Sequence, residues 1–271
     1  MSDTVNRGPE PQRPIPLARA FDHGKAFLAF LTVGDPSIAK TAELVEALVA
    51  GGADLIELGI PFSDPIAEGP VIQAADARAL SAGTRLDDVF ELAGTVSRRV
   101  AVPLVFLTYL NPVFHLGYDR FFSRCHETGV AGVIIPDLPF EEQGELLDIA
   151  AAHGVDIITL VAPTSEDRIA RIAERARGFV YVVSSLGVTG VRTSITTDIG
   201  AMVATIKAHT NVPVAIGFGI GTPEQAAAMA AVSDGVIVGS KIVSLIAQHA
   251  DDAAPHLRAY AASIKAAITP G

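Results

Sequence analysis

The stretch Ala53–Gly59, ADLIELG, sets one carboxylate, Glu57, inside an otherwise apolar run that closes on glycine. Seven further apolar runs recur along the chain: Phe27–Gly34 (FLAFLTVG), Pro103–Tyr109 (PLVFLTY), Gly132–Asp137 (GVIIPD), Asp156–Pro163 (DIITLVAP), Phe179–Ser184 (FVYVVS), Pro213–Gly219 (PVAIGFG) and Gly235–Gly239 (GVIVG). Each is rich in Val, Ile, Leu or Phe and alternates little, which is how strands covered on both faces read. Ala-rich helical patterns lie between them. Ile38–Ala50 puts Ala42, Leu44, Val45 and Leu48 near one face. A helix starts at Thr164-Ser-Glu-Asp, and Thr222-Pro-Glu-Gln offers a cap residue followed by Pro at the first helical position.

Eight β-then-α units predict an α/β fold, a single (β/α)8 TIM barrel rather than an open sheet. The second and third runs start about 50 residues apart, so an extra segment follows strand 2. Residues 1–14 are polar and Pro-rich and read as a flexible arm; residues 15–271 read as one catalytic domain.

Composition narrows the function. The chain has 271 residues, 49% hydrophobic and 18% charged, enough to bury a core without disulfides or metal staples. Its one cysteine, Cys125, forms no internal disulfide and no Cys-based metal site. A net charge of −10 argues against a general nucleic-acid or anionic-membrane surface. It leaves an anionic substrate open, because backbone N–H groups bind anions without net positive charge. The opening residues resemble no secretory signal, and no apolar run has the length of a membrane span. A cytoplasmic protein is expected.

In such a barrel, function sits at the C-terminal ends of the strands. A carboxylate flanked by Ile56 and Leu58 is costly unless paired or protonated. Glu57 therefore reads either as a structural acid satisfied by backbone or Arg, or as a general acid–base whose raised pKa suits proton transfer near neutrality. Eleven residues on, Glu68 stands in a loop of turn formers that projects over the barrel mouth, with Asp64 beside it. Asp64 reads equally as a turn or cap side chain.

Three glycine turns end strands 6 to 8: Gly187–Gly190, Gly217–Gly221 and Gly239-Ser240. Barrel enzymes often bind phosphate at these positions, where glycine lets backbone N–H groups approach the anion. Lys241 reads as a helix-surface lysine. None of the seven histidines forms an HxH or HExxH pair, so no metal site is expected.

The stretch Leu55–Gln73, LIELGIPFSDPIAEGPVIQ, resembles the signature of the tryptophan synthase α chain. The likeness runs from about Phe27 to Lys265 and includes Phe30–Pro36, Tyr109–Pro112, Ile135–Pro139, Ser184–Gly190, Gly217–Ile220 and Gly239-Ser240. The resemblance implies a lyase of tryptophan biosynthesis that cleaves indole-3-glycerol phosphate to indole and glyceraldehyde 3-phosphate in a retro-aldol reaction. Glu57 matches the glutamate that helps protonate indole C3. Glu68 matches the loop acid that binds the indole N–H. The more familiar pattern has Asp there, so the chain departs from it by one methylene while keeping a carboxylate.

Phe30, Leu107, Tyr109 and Tyr181 match the indole pocket. Gly190, Gly219, Gly239 and Ser240 match the phosphate site, and Thr189 matches the threonine of the mobile loop after strand 6. Asp137 matches a strand-4 aspartate near the mouth, a structural support. Asp64, Pro65 and Asn111 match the face that meets the β chain in an α2β2 heterotetramer, into which indole passes. The resemblance implies no cofactor in this chain, pyridoxal phosphate belonging to the β chain. Other readings explain parts of the pattern. A different phosphate-handling barrel enzyme accounts for the glycine turns but not for the loop from Glu57 to Glu68. A stand-alone indole-releasing lyase shares the signature, and a scaffold that only activates a β chain is opposed by the retained acids.

Overall fold

The computed structural model describes residues 13–183, 199–217 and 219–269. Its eight strands are β1 (Ala26–Thr32), β2 (Leu55–Gly59), β3 (Leu104–Leu107), β4 (Val130–Ile134), β5 (Asp156–Val161), β6 (Val180–Val182), β7 (Val214–Ile216) and β8 (Gly235–Val238). Every apolar run of the sequence contributes one. All neighbours pair in parallel, and β1 pairs with both β2 and β8, so the sheet closes into a barrel in chain order.

Helices fill the crossovers: α1 (Ile38–Ala50), α2 (Pro70–Ser81), α3 (Leu86–Ser97), α4 (Leu110–Leu116), α5 (Tyr118–Glu127), α6 (Gly144–Ala152), α7 (Glu166–Arg175), α8 (Ile199–His209), α9 (Pro223–Ala230), α10 (Ser240–His249) and α11 (Ala253–Ile268). The α1 boundaries follow from local chemistry. Ser37 caps it by accepting from Lys40 N–H, and its buried side chains include Ala42, Leu44, Val45 and Leu48. At α9, Thr222 and Gln225 form a reciprocal capping box ahead of Pro223. At α7, Ser165 takes the cap position but its side chain makes no capping bond.

The extra segment after β2 is the loop to Gly69 followed by α2 and α3. The β3–β4 crossover is also double. Gly117, at φ 87°, ends α4 and starts α5, a break the run spacing does not reveal.

Two apolar layers result. Phe27, Leu31, Ile56, Leu58 and Phe106 face the helices, whereas Leu28, Leu55, Val105, Ile134, Ile158, Ala215 and Ile237 fill the barrel. A 3-10 turn, Leu17–Phe21, adds Leu17 and Ala20 to the inner layer, with the Phe21 ring 6.2 Å from Phe179. Cys125 is buried and free. No described helix is long and apolar enough to cross a membrane.

Candidate active site

Strand alternation decides where Glu57 points. Leu55 belongs to the barrel interior while Ile56 and Leu58 face the helices, so Glu57 shares the inward face with Leu55. Its register partners are Phe30 on β1 and Val105 on β3. Glu57 is fully buried, and neither carboxylate oxygen has a hydrogen-bond partner among the described residues. The structural alternative, a carboxylate satisfied by backbone or Arg, thus has no partner here. Burial, and secondarily the charge of Glu68, push the Glu57 carboxyl up to about 8.

Glu68 stands on the loop between β2 and α2. That loop is tied down at several points. The Tyr109 hydroxyl accepts from Ala67 N–H at 3.0 Å, and Gln73 Nε2 donates to the Glu68 carbonyl at 2.9 Å. Phe62 stacks on the Tyr109 ring at 5.1 Å. Burial raises the Glu68 carboxyl to about 7. The Tyr181 hydroxyl is held above its ordinary range by burial and then by the charges of Glu57 and Glu68. The two glutamates and Tyr181 are therefore near enough for their charges to act on one another.

Apolar and aromatic side chains pack nearby. Phe30 is buried against Ile72, Ala75, Val243 and Leu107. Room for these rings comes from glycines on adjacent strands. A Cβ on Gly59 would lie 2.7 Å from the Phe30 ring, one on Gly239 3.2 Å from it, and one on Gly217 would overlap the Tyr181 ring.

The glycine turns named after strands 7 and 8 have this geometry. Gly239 precedes α10, and the first bond there is Val243 N–H to the Gly239 carbonyl at 3.0 Å. The amides of Ser240, Lys241 and Ile242 are those a helix start leaves without an intrahelical acceptor. Gly219 has φ 52°, a left-handed conformation that favours glycine. Lys241 is exposed, as a helix-surface residue is. Thr189, Gly190 and the whole Gly187–Gly190 turn lie outside the described residues, as do residues 1–12 of the N-terminal arm.

Of the three residues expected at the partner face, two share the loop of Glu68, whose N–H donates to the Pro65 carbonyl at 3.1 Å. Asp64 is exposed and accepts from Ser63 Oγ, Pro65 follows it, and Asn111 is exposed on α4. Ile66 and Phe114, 75% and 65% exposed, lie within three residues of them in sequence and were not singled out there. Asp137 accepts from Leu110 N–H at 2.9 Å and so caps α4. Sequence reasoning also missed Asp76, a buried acid on α2, and the pair of Asp35 with Arg78. The signal for Asp76 was its place with Ile72, Ala75 and Ala79 on one helical face. Among the described residues no group of three or more His, Cys, Asp or Glu is arranged to hold a metal ion.

Residues 18–268 match the family model described as "Tryptophan synthase alpha chain". The chain is 51% identical over 252 residues to the tryptophan synthase alpha chain of Lacticaseibacillus casei, covering 93% of this chain and 95% of that one. It is 52% identical over 253 residues to that of Lactiplantibacillus plantarum, covering 93% and 96%. Among solved structures, Mycobacterium tuberculosis tryptophan synthase superposes with a TM-score of 0.86 at 35% identity, covering 94% of this chain and 98% of that chain.

Proposed function

The chain belongs to the tryptophan synthase alpha chain family, and on that premise we propose that Glu57 and Glu68 are the acid–base pair of its reaction. The reaction is retro-aldol cleavage of indole-3-glycerol phosphate to indole and glyceraldehyde 3-phosphate. The chain is a lyase of tryptophan biosynthesis, and it passes indole to the beta chain of an α2β2 heterotetramer.

The observation that carries the residue assignment is the unpartnered Glu57 carboxyl inside the barrel, near enough to Glu68 for its charge to act there. A carboxyl raised to about 8 holds its proton at neutral pH and has it available for indole C3. Glu68, raised only to about 7, is ionised in a larger fraction and takes the indole N–H proton. The ring is then an indolenine. The Glu57 carboxylate next accepts the proton of the hydroxyl beside the C3–C1′ bond. As that bond breaks, its electron pair returns to the ring, Glu68 gives the proton back to the nitrogen, and the aldehyde leaves. Both acids finish as they began.

Phe30, Leu107, Tyr109 and Tyr181 are read as the walls that hold the indole ring. Gly219, Gly239 and Ser240, with Gly190 and Thr189, are read as the phosphate grip, whose distance from the breaking bond lets binding energy serve orientation. The beta chain is read as docking on Asp64, Pro65 and Asn111, where exposed Ile66 and Phe114 supply apolar surface. In this family pyridoxal phosphate lies in the beta chain, and the residue roles above need none here. Residues 1–14 are read as an arm and 15–271 as the single catalytic domain, acting in the cytoplasm. Steady-state indole release, with and without purified beta chain, tests the reading. Turnover that is absent under both conditions would falsify it.

A further inference from the structure

Glu68 is the last residue but one before α2 begins. Gly69 takes the cap position and has no side chain to bond the first-turn amides. The two peptide groups that flank the Glu68 Cα are each held by one hydrogen bond among the described residues. The Glu68 N–H donates to the Pro65 carbonyl at 3.1 Å, a turn bond that any residue except proline could make at this position. The Glu68 carbonyl accepts from Gln73 Nε2 at 2.9 Å, and that bond depends on one side chain. Gln73 is itself fixed, because its N–H donates to the Gly69 carbonyl at 3.0 Å at the start of the α2 ladder. α2 is in turn tied to the end of β1 and to the turn beyond it. Thr32 Oγ1 donates to Asp76 at 3.3 Å, and Arg78 gives Asp35 two hydrogen bonds, at 2.8 and 2.7 Å. Hydrogen bonds thus run from β1 through α2 to the backbone of Glu68.

We propose that Gln73 is a positioning residue for Glu68: its carboxamide fixes the peptide that follows Glu68 and so sets the direction in which the carboxyl leaves the backbone. The proposal rests on Glu68 being the acid that accepts the indole N–H proton. The Pro65 bond settles only the peptide before Glu68. With the peptide after it also held, the two soft dihedrals of Glu68 are set from both sides. With that peptide released, the residue can rock between the loop and the helix. Rocking of the backbone is magnified along a glutamate side chain, and about 1 Å of misplacement can cost about 10²-fold in rate. Gln73 is exposed, so what it contributes is geometry rather than burial.

The test is steady-state indole release by the α2β2 complex, with kcat and KM separated, alongside thermal unfolding. Gln73→Met keeps the length and the helix propensity of the side chain but removes the donor. It is expected to lower kcat by about 3–30-fold, between the worth of one hydrogen bond and that of a misplaced catalytic group. KM should hold within about twofold, because Gln73 belongs neither to the ring walls nor to the phosphate grip. The thermal midpoint should hold within about 3 °C, as for other exposed substitutions. An unchanged kcat overturns the proposal. So does a fall in activity that comes as a raised KM or a lost thermal midpoint, which a merely structural role would give. Glu68→Gln separates the two readings and is expected to lower kcat by about 10²-fold or more. In that background Gln73→Met should cost less than about twofold, since it acts through a carboxyl already removed; a repeat of its full effect overturns the proposal. Near-normal turnover in Glu68→Gln removes the role of Glu68 itself. An impaired Glu68→Gln beside a fully active Gln73→Met removes only the role of Gln73.

Discussion

Glu57→Gln replaces a buried carboxyl by a neutral group of the same shape, and its effect on stability can be worked from the folded-state pKa. The folded value is about 8 against 4.5 for the free group, so between these values the folded protein holds a proton that the unfolded chain has lost. Stability conferred by a raised acid is complete below the unfolded pKa and is lost as pH rises through the folded one. The slope in that window is about −1.4 kcal/mol per pH unit. Integrated from pH 5 to pH 8, Glu57 withdraws about 3–4 kcal/mol that the amide variant retains. The amide has its own cost of burial, but that cost is the same at both pH values. Urea unfolding of both proteins at pH 5 and pH 8 isolates the difference, because Glu68 and Asp76 titrate in both and largely cancel. The variant should gain about 3–4 kcal/mol on the original protein across that interval while losing indole release by about 10²–10⁴-fold. A stability difference that does not change with pH would mean that Glu57 is ionised in the fold and would refute the reasoning. Near-normal turnover would independently remove it from the chemistry.

Other outcomes follow from the same geometry. Glu68→Asp should keep or raise indole release, whereas Glu68→Ala should lose most of it; an active alanine variant would mean that another group serves the indole nitrogen. Tyr109→Phe deletes the acceptor of Ala67 N–H and should destabilise by about 1–3 kcal/mol, measured by thermal unfolding, with a raised KM. An unchanged KM would uncouple that anchor from the loop. Gly59→Ala drives a methyl to 2.7 Å from the Phe30 ring and should cost about 1–3 kcal/mol and weaken substrate binding, read from KM. If KM holds, Phe30 does not shape the pocket.

The strands were legible because barrel strands are covered on both faces and lose the alternation that marks a surface sheet. Glu57 was legible for the same reason, since one carboxylate between Ile56 and Leu58 contradicts its surroundings. The α1 boundaries were written locally, in Ser37 and in a period of buried residues. What escaped were arrangements that depend on distant partners. Asp76 meets Thr32 across 44 positions, and Arg78 meets Asp35 across 43. No local window contains both members. The break at Gly117 escaped because a glycine between two helical patterns reads equally as a tolerated interior residue. The place of Asp137 was legible at the end of its apolar run, its supporting role came from resemblance, and its hydrogen bond to the start of α4 gives that role a physical basis.

The glycines at 59, 217 and 239 give the pocket an asymmetric freedom to vary. Its volume is defined there by atoms that are missing, and every replacement of glycine adds atoms. Changes at those positions can therefore only shrink or distort the space beside Phe30 and Tyr181. Room for a bulkier ring has to come from the opposite side of each contact, by trimming Phe30 or Tyr181. On the proposed reading of these rings as indole walls, adaptation toward larger indoles at these contacts falls to the two ring side chains, while the backbone positions that make room for them stay fixed.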